Sequence, residues 1–439
     1  MARELSILMV AYYFPPNAAV GGKRIARFCH YLPSFGIRPS ILTLDQESCA
    51  SLDLSFAKSD QLPIERARPS LTPLDWYKRA FQPRTNGMVK QSPQGVDAQQ
   101  KTRLMNAVSQ NAVALLTIPD KQWGWYFPAV RAGSKLIRQH KFDAIMSSGP
   151  PWTAHAVGHK LSQEFNIPWI VDFRDAWVSD HWRDEFPGWR NRVDWRIENR
   201  WLEHSALVLT TTERLRESLL TTHRGVPESH ITTITNGFDG NISAEERAPA
   251  APKDKTVFLH TGELYRGRRI DSLCSALSTL LKNGAFGEKL PRVVFIGETD
   301  PEIERTARAV TPELFDAGMV EFRPPVSWKT VQAELAAADI LLLVQGDHPT
   351  AIPAKFFEYL QTGKPILGIG QGGALKDIIE DTESGFVADP RDEEAISAAI
   401  RKSLEMKPRS AAEIAQFAAK YHFKNLSAKL AENIRRIVT

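Results

Sequence analysis

Lys355 and Glu358 stand three residues apart in Ala354-Lys355-Phe356-Phe357-Glu358-Tyr359, a spacing that sets a cation and a carboxylate on one side of a helix. Pro353 before them and Gly363-Lys364-Pro365 after them punctuate a short helix that leads into an apolar strand. A helix start offers unengaged backbone N–H groups and the positive end of a dipole, so an anion is favoured there, a diphosphate most of all. Glu358 can only accept hydrogen bonds, which suits a pair of ribose hydroxyls. The alternative is an ordinary surface ion pair, worth about 0.3–0.5 kcal/mol.

Three further stretches carry residues fit for chemistry. Gly21-Gly22 follows the first apolar run and opens a helix, where two glycines let backbone approach a ligand closely or simply close a tight turn. They are not part of a G-x-G-x-x-G dinucleotide fingerprint. Asp172-Phe173-Arg174-Asp175 ends another apolar run, and two carboxylates around an arginine must either pair with each other's neighbours or face a ligand. Gly262 is followed by Arg266, Arg268 and Arg269, whose planar forks suit bidentate phosphate binding or else remain solvated. Indoles are concentrated between Trp123 and Trp201, and they stack on sugar faces or pack a core. Trp169, Trp195 and Trp201 are expected in the core. His155 and His181 are acid–base candidates or structural histidines. With no D-x-D and no clustered histidines, no metal is expected.

The elements that must position these residues alternate. Apolar runs at Leu5–Ala11, Pro39–Leu44, Ala144–Ser147, Trp169–Asp172, Leu207–Thr211 and Ile231–Thr235 read as strands. Helical segments lie near Lys23–Leu32 and over Ala154–Phe165, Arg190–His204 and Glu213–Thr221. Pro249 and Pro252 mark a stiff linker over 240–255, after which the rhythm restarts. Strands are expected at Thr256–Thr261, Arg292–Ile296, Val320–Phe322, Ile340–Val344 and Pro365–Ile369, with helices between them and a long final helix over Ala411–Val438. This predicts an α/β chain of two doubly wound, Rossmann-like parallel-sheet domains, 1–240 and 255–410, with ligands at a cleft between the carboxyl ends of both sheets. Residues 46–120, polar and turn-rich, read as an insertion that is either a partly helical acceptor-side element, with its helix over Thr102–Leu116, or a mobile loop.

Composition bounds the rest. A chain of 439 residues, 43% apolar and 24% charged, is globular and too long for one core. A net charge of +4 is too weak to argue for nucleic-acid binding, yet suits anionic donors or anionic lipid. Cys29, Cys49 and Cys274 show no paired spacing, which indicates a reducing compartment. The apolar run from Leu5 to Phe14 is too short to span a bilayer, so a cytoplasmic protein is expected, with any membrane contact peripheral.

The K-hydrophobic-x-E-Y pattern at Lys355–Tyr359, with Gly363 and Pro365 behind it, resembles the donor loop of glycosyltransferase family 4-like enzymes of the GT-B fold. Asp172-Phe173-Arg174-Asp175-Ala176-Trp177 is similar to the D-F-R-D-x-W string of bacterial members that build surface polysaccharides. The resemblance covers nearly the whole chain outside 46–120. It implies retaining, metal-free transfer of a sugar from a nucleotide-diphosphate sugar to a saccharide or lipid-linked acceptor, with no cofactor. By the same resemblance Gly21 and Gly22 face the donor across the cleft, Lys355 and an arginine, Arg269 ahead of Arg266 and Arg268, hold the diphosphate, and the last helix returns to the first domain. Asp172 is expected to orient or deprotonate an acceptor hydroxyl, with Arg174 and Asp175 positioning it, and Trp123, Trp125 and Trp177 to wall the acceptor. Two departures stand out: Glu263 occupies the place of the family's first arginine, and Thr350 the place of the first glutamate of E-x7-E, whose second is Glu358. Backbone amides of Ala351 and Ile352 are expected to reach the sugar or its phosphate instead. A non-hydrolysing sugar-nucleotide epimerase and a non-catalytic nucleotide-sugar-binding protein are the alternative readings.

Overall fold

The computed structural model describes residues 3–19, 21–53, 62–76, 111–179, 186–239, 254–265 and 267–438. The chain divides into two compact units, the first comprising 1–211, 215–234 and 427–439, the second 212–214 and 235–426. Each holds one parallel sheet.

The sheet of the first unit has seven strands in the order β3-β2-β1-β4-β5-β6-β7, namely β1 Leu5–Ala11, β2 Ile37–Leu44, β3 Ile64–Ala67, β4 Ala144–Gly149, β5 Trp169–Phe173, β6 Leu207–Thr210 and β7 Ile231–Thr233. β4 and β5 are buried along their whole lengths, as strands covered on both faces must be. The order reverses direction at β1, whose two neighbours are β2 (Ile7 opposite Pro39) and β4 (Ile7 opposite Ala144). That switch point opens a crevice at the carboxyl ends of β1 and β4.

In the second unit six strands lie in the order β10-β9-β8-β11-β12-β13: β8 Lys255–Thr261, β9 Leu290–Ile296, β10 Val320–Arg323, β11 Ile340–Val344, β12 Ile366–Ile369 and β13 Gly385–Ala388. Alternate residues feed opposite faces. Ile340, Leu342 and Val344 join one core with Phe258 and Phe295, while Leu341 and Leu343 join the other with Phe356, Phe357 and Tyr359. The switch point here lies between β8 and β11; the loop that leaves β8 carries Arg268 and Arg269, and the one that leaves β11 leads into the helix bearing Lys355.

Two sequence expectations need correction, and some elements went unread. Residues 46–120 are not wholly an insertion, because Ile64–Ala67 is the edge strand of the first sheet, with Ile64 opposite Ile41. Ile-Glu-Arg-Ala gave little signal, being four residues of which three are only half-buried. Within the expected helix Thr102–Leu116, residues 111–116 are helical and the remainder lies outside the described residues. The stretch after Trp125 is helix Tyr126–Gln139, and β13 with helix Glu393–Glu405 extends the second unit, its start capped where Asp392 accepts from the Ala395 amide. The final helix is two, Ala411–Tyr421 and Phe423–Val438. The break has a cause: the Phe238 amide donates to the Tyr421 carbonyl (3.2 Å), and the Phe423 amide donates to the Phe238 carbonyl (3.0 Å). The 3.6-residue periodicity runs through this interruption, so sequence alone cannot reveal it. Near the chain end, Arg435 donates to the Phe35 carbonyl within the first unit (2.6 Å).

A Cβ on Gly237 would fall 2.1 Å from the Tyr421 oxygen, whereas one on Gly225 would meet nothing within 4 Å. Urea unfolding should therefore show Gly237→Ala destabilised by about 1–3 kcal/mol and Gly225→Ala unchanged within about 0.5 kcal/mol.

Candidate functional site

The second unit brings Lys355 against the end of β8. Gly262 has φ +141, and a Cβ there would lie 1.8 Å from Lys355 Nζ, so only glycine admits the ammonium. Gly297, with φ +145, is required for the same reason one strand over, since its Cβ would fall 2.3 Å from the Gly262 oxygen. The Gly262 amide donates to the Ile296 carbonyl (2.7 Å) and that of Leu264 to Glu298 (2.8 Å). Helix Ala354–Leu360 is fixed in turn by Tyr359, one helical turn beyond Lys355, whose fully buried hydroxyl accepts from the Thr261 amide (2.8 Å). Sequence reasoning quoted Tyr359 but gave it no role. Glu358 is half-buried on this helix.

Two polar side chains at this crevice are buried with an atom that has no partner among the described residues. His260 Nδ1 lies 3.0 Å from the Leu342 carbonyl and donates to it, leaving Nε2 as a buried acceptor. Burial, followed by the charge of Lys355, holds the imidazole down at about 3, so it is neutral at ordinary pH. Gln345, at the end of β11, donates from Nε2 to the carbonyls of His348 (2.7 Å) and Ala351 (2.9 Å), and its Oε1 is unmatched. Neither residue was singled out from sequence, because an isolated His or Gln at a strand end carries no motif.

The arginines separate. Arg269, favoured from sequence for the diphosphate, lays its fork on Asp271 (Nε to Oδ1, 3.0 Å), and that partner raises the guanidinium and lowers the carboxyl. Arg268 instead lies over the Tyr265 ring at 4.1 Å, donates to the Glu263 carbonyl, and keeps Nε buried with no partner among the described residues. Its charge also reaches His260. Arg266 lies outside the described residues. Of the loop expected to meet the sugar, the Ala351 amide is already taken by the His348 carbonyl (3.2 Å), Ile352 packs on the core, and Thr350 is half-buried beside them.

In the first unit the expected acceptor base is a structural anchor. Asp172 is fully buried; Arg24 donates to both its oxygens (Nη2 to Oδ1, 3.0 Å; Nε to Oδ2, 3.2 Å) and Ser148 donates to Oδ2 (2.7 Å). Arg24 also holds the Ile234 carbonyl (2.7 Å). Both oxygens of the carboxylate expected to serve an acceptor hydroxyl are thus engaged by the protein's own side chains. Its partner stands 148 residues away, so no local pattern could have announced it. Arg174 donates to the carbonyls of Gly149, Gly21 and Pro150. A Cβ on Gly21 would lie 2.6 Å from that guanidinium, and one on Gly22 would lie 3.0 Å from the Tyr13 oxygen, so these glycines make room for the protein's own groups. The Gly22 amide is engaged by Ala19 (3.0 Å). Asp175 is the exposed member of the string. Asp120, unnoticed in the sequence, accepts from the Thr153 amide (2.8 Å) and hydroxyl (2.7 Å), and burial raises its carboxyl.

The tryptophans also redistribute. Trp125 is fully buried, its indole donating to the Ala67 carbonyl (3.0 Å). Trp177 is stacked between Trp152 (5.2 Å) and Trp201 (5.0 Å), so both of these expected acceptor-side indoles are buried. Trp195, expected in the core, is 39% exposed over His223. Trp123 remains half-buried and, with Tyr126, Phe127, His159 and Trp201, lines a groove of about 520 Å³. His155 is buried with Nδ1 2.9 Å from the Ser147 hydroxyl, and burial takes it down to about 3; His181 lies outside the described residues. Among the described residues no group of three or more His, Cys, Asp or Glu side chains is arranged to hold a metal.

Comparison with known proteins gives a consistent picture. The model described as glycosyl transferase 4-like domain matches residues 21–237, and that for glycosyl transferases group 1 matches 241–421. A curated relative, the D-inositol 3-phosphate glycosyltransferase of Geodermatophilus obscurus, is 25% identical over 211 residues, 46% of either chain, so the match spans about half of that protein's length. The sucrose-phosphate synthase of Thermosynechococcus elongatus shares the fold at a TM-score of 0.68, with 16% identity over 99% of both chains. The Anabaena protein HepE, solved with UDP and glucose, gives 0.61, with 15% identity over 98% of this chain and 100% of that one. A lipopolysaccharide outer core galactosyltransferase, WaaB, gives 0.62 at 12% identity, covering 98% of this chain and 99% of that one.

Two predictions follow from the geometry. Asp172→Ala leaves the Arg24 charge buried and alone, so it should cost about 3–5 kcal/mol of stability in urea unfolding, whereas a purely catalytic aspartate would leave stability unchanged. His155 and His260 stay neutral when folded, held at about 3, while an unfolded histidine titrates near 6.5. Below that value the unfolded chain binds more protons, so the melting temperature should fall as pH drops from about 6.5 toward 4 and level off above it. His155→Gln should flatten this slope, and an unchanged slope would remove His155 as its source.

Proposed function

This chain belongs to the family 4-like glycosyltransferases, and from that premise we propose that it transfers a sugar from a nucleoside-diphosphate sugar to a saccharide or lipid-linked acceptor. The observation that carries this reading is the Lys355 ammonium seated over Gly262 at the switch point of the second sheet. A cation held by fixed backbone, rather than by a flexible loop, is preorganised for charge that develops on a departing diphosphate. Arg268, with its half-exposed guanidinium steadied on Tyr265, is the second cation of the site. Glu358 accepts from the ribose hydroxyls. The buried acceptors His260 Nε2 and Gln345 Oε1, both neutral, take hydroxyl or N–H donors of the bound nucleotide sugar without adding charge.

Positive charge from protein side chains serves where other transferases use a metal, so transfer proceeds without one, and the anomeric configuration is retained. The bound UDP and glucose of HepE, and the ADP and acarbose bound to the Arabidopsis starch synthase IV domain that this fold also matches, support a nucleoside diphosphate as the leaving group. The product is part of a cell-surface polysaccharide, a reading supported by the likeness to the galactosyltransferase WaaB, and assembly takes place at the cytoplasmic face of a membrane that the protein touches peripherally.

Thermal shift against UDP, GDP and ADP and their sugar conjugates tests the site, since ligand binding raises the melting temperature by mass action. Lys355→Ala should abolish the shift and lower kcat by roughly 10²–10³-fold. Arg268→Ala should weaken nucleotide binding roughly tenfold or more, a charge-assisted contact being worth about 1.5–3 kcal/mol, while Arg269→Ala should leave it nearly unaltered. A Lys355→Ala variant with an intact shift would refute the site. Conversion of the donor to its epimer without acceptor would favour an epimerase instead.

A further inference from the structure

Helices Tyr126–Gln139, Thr153–Phe165 and Gly188–His204 pack on one core of the first unit. Their exposed side chains include seven cations against two carboxylates, Glu164 and Glu203, an excess larger than the +4 of the entire chain. The other acids of the third helix, Asp194 and Glu198, are buried on Arg190 (2.6 Å) and His223 (2.8 Å) and do not offset this surface. The cations form two stripes at helical spacing, Arg131-Lys135-Arg138 and Arg192-Arg196-Arg200. From Lys121 to Lys141 the sequence contains five Lys or Arg and no acid. Arg138 and Lys160 share Glu164, but among the described residues Arg131, Lys135, Arg192, Arg196 and Arg200 have no ion-pair partner.

Apolar surface accompanies this charge. Phe127 is 68% exposed and continues the first stripe one turn before Arg131. It borders the groove of about 520 Å³, which Tyr126, Ile197 and Trp201 also line, with Arg200 at its edge. A solvated basic helix has no need of an exposed phenylalanine in register with its cations. A charged face with an apolar wedge matches the boundary between lipid headgroups and acyl chains.

We infer that this three-helix face docks on an anionic lipid bilayer, with the stripes on headgroup phosphates, Phe127 below them and the groove receiving an acyl chain. The inference gives a location to the peripheral membrane contact of the proposed function and rests on that part of it alone. Attraction of this kind grows with each Lys or Arg near the surface and fades within a Debye length.

Sedimentation of the full chain with phosphatidylcholine vesicles, with and without phosphatidylglycerol, tests it. Binding is expected only with phosphatidylglycerol, and should weaken with salt and resist competition by inorganic phosphate. The triple variant Arg131→Glu, Lys135→Glu, Arg196→Glu, which touches no ion pair, should bind at least roughly a hundredfold less. Phe127→Ser should lose a smaller, salt-insensitive share. The nucleoside-diphosphate thermal shift of these variants should match that of the unaltered protein, which separates this face from the donor site and reports folding. Failure of the unaltered protein to sediment with phosphatidylglycerol vesicles, or equal sedimentation of the triple variant, would overturn the inference.

Discussion

An ammonium pressed against the α-carbon of a glycine is the constraint from which the second unit is organised. Lys355 can occupy that position only because residue 262 lacks a side chain, and Gly262 can lie there only because Gly297 leaves its carbonyl room. Tyr359 then prevents the lysine's helix from sliding by holding the Thr261 amide. The charge also has an electrostatic effect on its surroundings: His260, already disfavoured as a cation by burial, is disfavoured further by the lysine, so the crevice keeps a neutral acceptor beside a permanent cation. The outcome is a site where two cations, Lys355 and Arg268, stand beside buried neutral acceptors that supply only dipoles.

The first unit solves the opposite problem. There the full charges close to the strand ends cancel within the protein, Asp172 with Arg24, while Arg174 is covered by backbone carbonyls. Such buried pairs add little net stability over apolar packing, yet each half is costly without the other. Their effect is geometric: they bind the end of β5 to the end of β4, to the helix that begins at Gly21 and to Ile234, and so fix the frame of the crevice.

How much of this was legible in the sequence depends on the range of the interaction. Strands such as β1 and β11, which are apolar at nearly every position, were legible residue by residue because burial on both faces leaves no alternation to misread. Lys355, Glu358 and the punctuation around them were legible because helix, loop and strand signals lie within a dozen residues. β3 was not, since an edge strand needs only half its residues apolar and four residues are too few to show a period. The Asp172–Arg24 pair illustrates the harder limit: D-F-R-D reads equally well as a ligand grip or a buried clamp, and only the distant partner distinguishes them. Arg269 shows the reverse case. Its neutralising partner, Asp271, is two residues away and visible, but sequence does not tell which of three adjacent forks it will engage.

The parallel bridge between Phe238 and His422 has a consequence for how the chain can vary. Both main-chain groups of Phe238 are held by residues 421 and 423, and β8 begins at Lys255 under its own ladder of bonds to β9. The proline-bearing stretch between them therefore starts and ends on clamped backbone. A change at residue 238 is felt by two helices at once, since its amide and carbonyl engage the last residue of one and the first residue of the other. Variation is thus restricted less by the side chain at 238 than by the backbone geometry that lets residues 421 and 423 share it.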